Sequence, residues 1–325
     1  MKLGIIGSGN IVKEFLPATA SLDNLKLTAI ATTKRSFKVG QMLAKQYGID
    51  YCYDDYCEML KNPQVDAVYI GTPSAMHYKM SKDALLAGKN VICEKPFVFK
   101  ESEALELKKI ADEKDVMIVE AITNIYLQNF KQMEQDLPLL GNIHAVNLNF
   151  TQYSGELYEQ FLKGKPTTSF SPELGGGALM DINVYNVHLA VKLFGSPSAV
   201  HYFPNMQNSS DTSGLLVLNY PDKQASLLAA KDSDAMNNNR SMIEGEKGSI
   251  WFEGSPGRLN EYTLALRGQK PVIRRLNKYP HKMISEFTEF IRMFEQHDQE
   301  TVDEAFDHTL EVIKVLEKAR KDMNC

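Results

Sequence analysis

Lys2-Leu3-Gly4-Ile5-Ile6-Gly7-Ser8-Gly9-Asn10-Ile11-Val12 is the stretch that decides the fold. It opens as a short apolar run, which predicts a buried strand, and turns at Gly7 into an amphipathic segment. In such a strand-turn-helix, the first glycine permits a tight turn. The second lets backbone approach a pyrophosphate with no side chain in the way, and the helix N-terminus then faces the phosphates. Gly7, Ser8, Gly9, Asn10 and Ile11 are therefore candidate dinucleotide contacts. Val12 stands where the usual fingerprint has a third glycine, which predicts slightly looser packing of helix on strand.

The pattern continues outward from this turn. Lys2 to Ile6, Leu25 to Ala31, Val65 to Ile70, Asn90 to Cys93 and Val116 to Glu120 read as strands. Ile11 to Ser21, Phe37 to Tyr47, Tyr78 to Ala87 and Glu101 to Lys114 read as helices, the second and third ended by Gly48 and Gly88. Strands alternating with helices over short connections predict a doubly wound parallel sheet. The glycine turn at the start of such a series is far more specific than the hexapeptide alone.

The end of the second strand should read the adenosine ribose. An Asp or Glu there would accept from the 2′-hydroxyl of NAD. This chain has Ala31-Thr32-Thr33-Lys34-Arg35-Ser36 and no acid. Lys34 and Arg35 suit a 2′-phosphate, with Thr33 or Ser36 donating a hydrogen bond. NADP is the expected cofactor and NAD the alternative.

Bulk properties bound the rest. A chain of 325 residues predicts two domains, here 1–121 and 122–325. A net charge of −5, with Lys and Arg spread along the chain, argues against a nucleic-acid partner. No apolar run approaches the roughly 20 residues of a membrane span, and the N-terminus lacks the zones of a signal peptide. Cys52, Cys57, Cys93 and Cys325 have no paired spacing, so no metal site is expected and a reducing, cytoplasmic location is.

Three further segments add specificity: Ile70-Gly71-Thr72-Pro73-Ser74-Ala75-Met76-His77, Glu94-Lys95-Pro96, and Gly175-Gly176-Gly177-Ala178-Leu179-Met180-Asp181-Ile182. In this order and spacing, with the N-terminal fingerprint, the chain resembles the Gfo/Idh/MocA oxidoreductases over essentially its whole length. The resemblance is nearest to the glucose-fructose oxidoreductase and dimeric dihydrodiol dehydrogenase branch. It implies an N-terminal Rossmann domain and a C-terminal α/β domain with a large, mostly antiparallel sheet, often used for dimerisation. A homodimer or higher homo-oligomer is thus expected. The second half agrees: Ile143 to Gln152, Ala199 to Met206, Gly214 to Tyr220, Gln224 to Ala230 and Ser249 to Phe252 read as strands. Met283 to Phe294 and Val302 to Met323 read as closing helices that pack back on the first domain.

The resemblance assigns Lys95 to the sheet's carboxyl edge, near nicotinamide and substrate, with a cis Lys95-Pro96 peptide. Beside a cationic ring its charged form is disfavoured, so it can position a hydroxyl and exchange a proton. Tyr185 stands where many relatives have histidine; a tyrosine there resembles the branch named above, and a phenol can pass a proton as hydride moves. Leu179 to Phe194 reads as one helix closed by Gly195. Asp181, Tyr185 and His188 then share a face at i, i+4 and i+7. Asp181 would orient substrate or hold Lys95, and His188 would bind substrate hydroxyls. Gly175 to Gly177 allow close backbone approach to a ligand. By resemblance Thr72, Pro73 and His77 neighbour the nicotinamide ribose, and Glu94 contacts the ribose or positions Lys95. A histidine capping the next helix is the plainer reading of His77.

Two departures bear on substrate. Asn183 replaces the glycine that usually follows Asp-Ile. After Glu120-Ala121, dihydrodiol dehydrogenases carry a tryptophan and an arginine, whereas this chain has Thr123 and Ile125. Thr123 becomes a candidate substrate contact, and an aromatic dihydrodiol is disfavoured. The sole tryptophan, Trp251, falls in a strand and suits core or interface. The expected activity is hydride transfer between nicotinamide and a hydroxyl or carbonyl of a sugar, polyol or related alcohol. A cofactor-binding regulator without turnover is the alternative, since fold does not prove catalysis. A third class uses the nicotinamide only transiently within each cycle.

Overall fold

Ala67-Val68-Tyr69-Ile70 is buried at every position, as a strand covered on both faces must be. It lies in the first of two sheets in the computed structural model, which describes residues 1–165, 167–234 and 239–323. Cys325 lies outside the described residues. The chain divides into two compact units: Met1–Ala121 with Met283–Leu310, and Ile122–Lys282 with the residues from Glu311 onward.

The first unit runs β1 (Lys2–Ile6), α1 (Asn10–Ala18), β2 (Lys26–Ala31), α2 (Phe37–Tyr47), β3 (Tyr51–Tyr53), α3 (Tyr56–Leu60), β4 (Ala67–Ile70), α4 (His77–Leu86), β5 (Asn90–Glu94), α5 (Glu101–Lys114) and β6 (Ile118–Ala121). Its six strands are ordered β3-β2-β1-β4-β5-β6, all parallel. This is the doubly wound dinucleotide-binding order, and its switch point falls between β1 and β4. The expected helix Ile11 to Ser21 ends its α-geometry at Ala18 and closes with a 3-10 turn, Thr19–Ser21. α2 ends where expected, because Gly48 takes the left-handed conformation at φ 65°. β3 and α3 carried no periodic signal, being three and five residues long. Asp55 caps α3 by accepting from Cys57 N at 2.9 Å.

The second unit contains α6 (Gln128–Asp136), β7 (Ile143–Thr151), α7 (Glu156–Leu162), a π-helical turn Leu179–Asn183, α8 (Val184–Phe194), β8 (Ala199–Gln207), β9 (Ser210–Asn219), β10 (Gln224–Ala230), β11 (Arg240–Gly245), β12 (Gly248–Glu253), β13 (Tyr262–Leu266) and β14 (Val272–Arg274). Eight strands form one sheet, β14-β13-β12-β11-β7-β10-β9-β8. Every pair is antiparallel except β7 with β10. β7 is central, with one meander on each side. Side chains alternate cleanly: Leu148, Phe150, Leu216, Leu218, Leu227 and Ala229 are buried. Their strand neighbours Phe203, Leu215 and Leu228 form one exposed cross-strand row, and the half-buried Met242 faces the half-buried Trp251 on β11 and β12.

Two helices close the chain, α9 (Lys282–Gln296) and α10 (Gln299–Asp322). Phe287 of α9 packs on Phe15 and Tyr69, with ring centroids 4.2 and 5.3 Å apart, so α9 completes the first unit's core. No helix among the described residues is long and apolar enough to cross a membrane.

Candidate active site

Gly7 follows β1 with φ 124°, a conformation that L side chains rarely adopt. A Cβ on it would lie 2.5 Å from the Gly71 carbonyl oxygen, so the two strand ends at the switch point touch through backbone. A Cβ on Gly9 would meet nothing within 4 Å. No side chain caps α1. An open approach over Gly9 to an uncapped helix N-terminus fits a pyrophosphate. Ser8, Asn10 and Ile11 line the same exposed turn.

The expectation of loose packing at Val12 is corrected. Val12 is fully buried, and its Cγ2 lies 2.7 Å from where a Gly71 Cβ would stand. The space that the fingerprint normally gains at Val12 is supplied across the strands by Gly71.

Beyond β2, Thr33 and Ser36 form a reciprocal capping box around the 3-10 turn Lys34–Ser36, their hydroxyls 2.9 Å apart. Lys34 and Arg35 project from this turn, exposed, and pair with no carboxylate among the described residues. Two exposed cations on a capped turn at the end of the second strand fit a phosphate ester.

The Glu94–Phe97 turn is fixed at successive backbone groups. Lys95 N donates to Glu94 Oε2 at 3.3 Å, and Phe97 N donates to Glu120 Oε1 at 3.0 Å. Pro96 O lies 3.0 Å from His77 Nδ1. The Lys95-Pro96 peptide is cis. Glu94 also accepts from the buried Tyr69 hydroxyl at 2.7 Å, and Glu120 from Thr309 Oγ1 at 2.8 Å. Burial, then the Glu94 charge, pushes the Tyr69 phenol up, so Tyr69 stays a donor. Glu94 thus accepts from the Lys95 backbone.

His77 is corrected from cofactor neighbour to internal brace. It is fully buried, and its second nitrogen, Nε2, lies 2.9 Å from Thr72 O. Each nitrogen faces a backbone carbonyl, and the neutral ring donates its one proton to one of them. Burial holds its pKa below the ordinary histidine value. Thr72 and Pro73 remain partly or fully exposed beside it.

In the second unit, the expected single helix begins as a π turn. Val184 N donates to Leu179 O, five residues back. Asn183, in the place of glycine, explains how the widened turn is held. It is buried and donates to Leu227 O of β10 at 3.1 Å, while Asn186 donates to Asn183 Oδ1 at 2.9 Å. π turns mark functional segments in many helices. Tyr185 follows this turn, 9% exposed, edge-on to Phe150 at 5.8 Å. Asp181 lies within it. Its Oδ2 accepts from Lys231 Nζ at 2.6 Å and Ser169 Oγ at 3.1 Å.

Three further expectations fall on buried residues. His188 of α8 is 0% exposed. Thr123 is buried and donates its hydroxyl proton to Gly257 O at 2.8 Å, which holds the 257 loop. The glycine run serves the protein's own backbone. A Cβ on Gly176 would stand 2.6 Å from Thr168 O, and one on Gly177 1.9 Å from Asp211 Oδ1. Asp211, fully buried, accepts from Leu179 N and the Tyr202 hydroxyl, each at 2.7 Å. Burial raises its pKa against those hydrogen bonds. Lys231 and Asp211 carried no motif, since each is a lone residue at a strand end.

Residues 1–122 match the family described as "Oxidoreductase family, NAD-binding Rossmann fold", and residues 138–251 match the "GFO/IDH/MocA C-terminal domain". The chain belongs to the Gfo/Idh/MocA oxidoreductase family. Among its Gfo/Idh/MocA relatives, scyllo-inositol 2-dehydrogenase (NADP(+)) IolU of Bacillus subtilis is 30% identical, over 99% of this chain and 97% of that protein. Trans-1,2-dihydrobenzene-1,2-diol dehydrogenase of Xenopus tropicalis is 27% identical, over 77% of this chain and 74% of its own. The 3-ketoreductase KijD10 of Actinomadura kijaniata, solved with NADP and TDP-benzene, superposes with a TM-score of 0.85. That match is 20% identical and covers 99% of this chain and 97% of that one. The first unit of this Gfo/Idh/MocA protein is accordingly an NAD(P)-binding Rossmann domain, and the protein is an oxidoreductase.

Proposed function

We propose that this oxidoreductase prefers NADP and transfers hydride to or from a CH–OH or carbonyl carbon of a sugar, cyclic polyol or related alcohol. The observation that carries the reading is the Lys95 turn, whose backbone is fixed by Glu94, His77 and Glu120. Such bracing suits a lysine that must meet one oxygen atom in one geometry.

Gly7 to Ile11 would hold the pyrophosphate, Lys34, Arg35 and Thr33 the 2′-phosphate, and Thr72 and Pro73 the nicotinamide ribose. Bound there, the cofactor supplies or takes up the hydride. Lys95 binds the reacting oxygen and stabilises charge on it as it gains or loses its proton. Tyr185 passes that proton, its ring kept in place by Phe150. Asp181 accepts a neighbouring substrate hydroxyl. One relative's name supports both halves of the proposal: IolU is named with NADP(+) and with scyllo-inositol, a cyclic polyol.

We also propose that two copies pair through the open face of the eight-stranded sheet. Its exposed rows include Phe203, Leu215 and Leu228, more apolar surface than a solvated sheet face ordinarily presents.

A panel of inositols, aldoses and ketoses, each with NADP(H) and NAD(H), tests the activity through the absorbance of the reduced nicotinamide. Turnover of a polyol or sugar with NADP supports the proposal. Tight NADP binding with no turnover of any panel member would overturn it.

A further inference from the structure

Lys231 is 2% exposed, yet it carries a charge into the second unit. It follows the last residue of β10 and is tied there by its backbone. Lys231 N donates to Thr212 O at 2.8 Å, and its carbonyl accepts from Ser154 N at 2.9 Å. Its ammonium meets three oxygens at one point: the Ser169 carbonyl, Ser169 Oγ at 2.6 Å and Asp181 Oδ2 at 2.6 Å. It also stands 4.3 Å from the Phe170 ring centroid. An ammonium has three protons and no acceptor, so this set accounts for its donors.

The pair is lopsided. Lys231 is sealed, while the Asp181 side chain keeps a third of its surface. Taking a lysine out of water is expensive, and an exposed ion pair recovers little of that cost. The Ser169 oxygens take two of its three protons, and the third goes to the one carboxylate of the π turn. Ser169 also donates to the same oxygen, Oδ2, so both donors grip one side of the carboxylate. Two donors on one oxygen fix the rotation of the group.

We infer that Lys231 is a positioning residue: it sets the orientation of Asp181 on the π turn, and Ser169 completes the grip. The inference rests on the reading of Asp181 as a substrate contact. It also bears on substrate class. A carboxylate balanced by a buried lysine presents a hydrogen-bond acceptor without net charge, which favours a neutral polyhydroxyl over an ammonium-bearing substrate. Asp211, the other carboxylate that feels the Lys231 charge, is spoken for by Leu179 N and Tyr202.

A double-mutant cycle on the full chain tests this, with the accepted polyol or sugar as probe and melting temperature as the check on folding. Lys231→Met and Asp181→Asn should each lower kcat/KM by about tenfold or more, and the double variant should fall no further than about twofold below the worse single one. Ser169→Ala, a smaller change at the surface of the same cluster, should give an intermediate loss that vanishes in the Asp181→Asn background. Losses that multiply in the double variants would make Lys231 and Ser169 independent scaffold residues and overturn the inference. A folded Lys231→Met with wild-type kcat/KM would overturn it alone, leaving Asp181 in place if Asp181→Asn is impaired. Asp181→Asn at wild-type kcat/KM would instead remove the reading of Asp181 beneath it.

Discussion

The imidazole of His77 stands against Pro96, Nδ1 3.0 Å from the carbonyl oxygen, with the Thr72 carbonyl 2.9 Å from its other nitrogen. One buried ring therefore ties the turn after β4 to the turn that carries Lys95. Burial lowers its pKa, while the two carbonyls and Glu120 pull the other way and do not win. Above the unfolded histidine value of about 6.5, both states are neutral and the full stability is present. As pH falls through that value, the unfolded chain takes up a proton that the folded chain resists. Stability is then lost until the folded pKa is reached. Melting temperature should decline below about pH 6.5, and His77→Gln should flatten that part of the decline. The variant should also cost about 1–3 kcal/mol at neutral pH, through the buried carbonyl that loses the imidazole donor. A variant curve parallel to wild type across this window would contradict the assignment.

Gly71→Ala drives a methyl group to 2.7 Å from Val12 Cγ2. Overpacking of this kind costs about 1–3 kcal/mol, and thermal unfolding should show it. Val12→Ala, which removes that methyl, should recover part of the loss in the double variant. A double variant less stable than Gly71→Ala alone would break the link between the two positions.

Lys34→Ala and Arg35→Ala should raise the KM for NADP by about 10- to 100-fold each, the worth of a charge-assisted hydrogen bond. NAD should change little, because it lacks the phosphate these side chains would meet. Initial rates with both cofactors decide this. Equal losses with NAD and NADP would remove the 2′-phosphate assignment.

On the open sheet face, Phe203 is 60% exposed and Leu228 40%. Phe203→Glu with Leu228→Glu should leave a monomer by light scattering, if two copies pair there, because like charges cannot enter an apolar interface unpaired. A dimer that survives both changes would place the interface elsewhere.

What was legible in the sequence follows physical range. The glycine turn, the alternating strands and α2 ended by Gly48 are local patterns, and they stand where the residues placed them. β3 and α3 are too short to carry a period, and β11 has an alternation that its charged flanks obscured. Lys95 stands in a contiguous motif that the sequence displays whole. The burial of His77, His188 and Thr123 was not legible, because it is set by elements distant in sequence. Thr123 meets Gly257, and His77 meets Pro96. The π turn at Leu179–Asn183 was hidden for the same reason: Asn183 takes its partner from β10. Val12 taught the converse, that a missing glycine in one motif is offset by a glycine in another.

The central claim is that Lys95 performs proton and charge work on a substrate oxygen in a protein that binds NADP independently of it. Lys95→Met, assayed side by side for turnover and for NADPH affinity by fluorescence titration, tests it most directly. Turnover should fall by about 100- to 10,000-fold, the range for a positioned acid–base group, with NADPH affinity within about threefold of wild type. Wild-type turnover in the folded variant would contradict the claim.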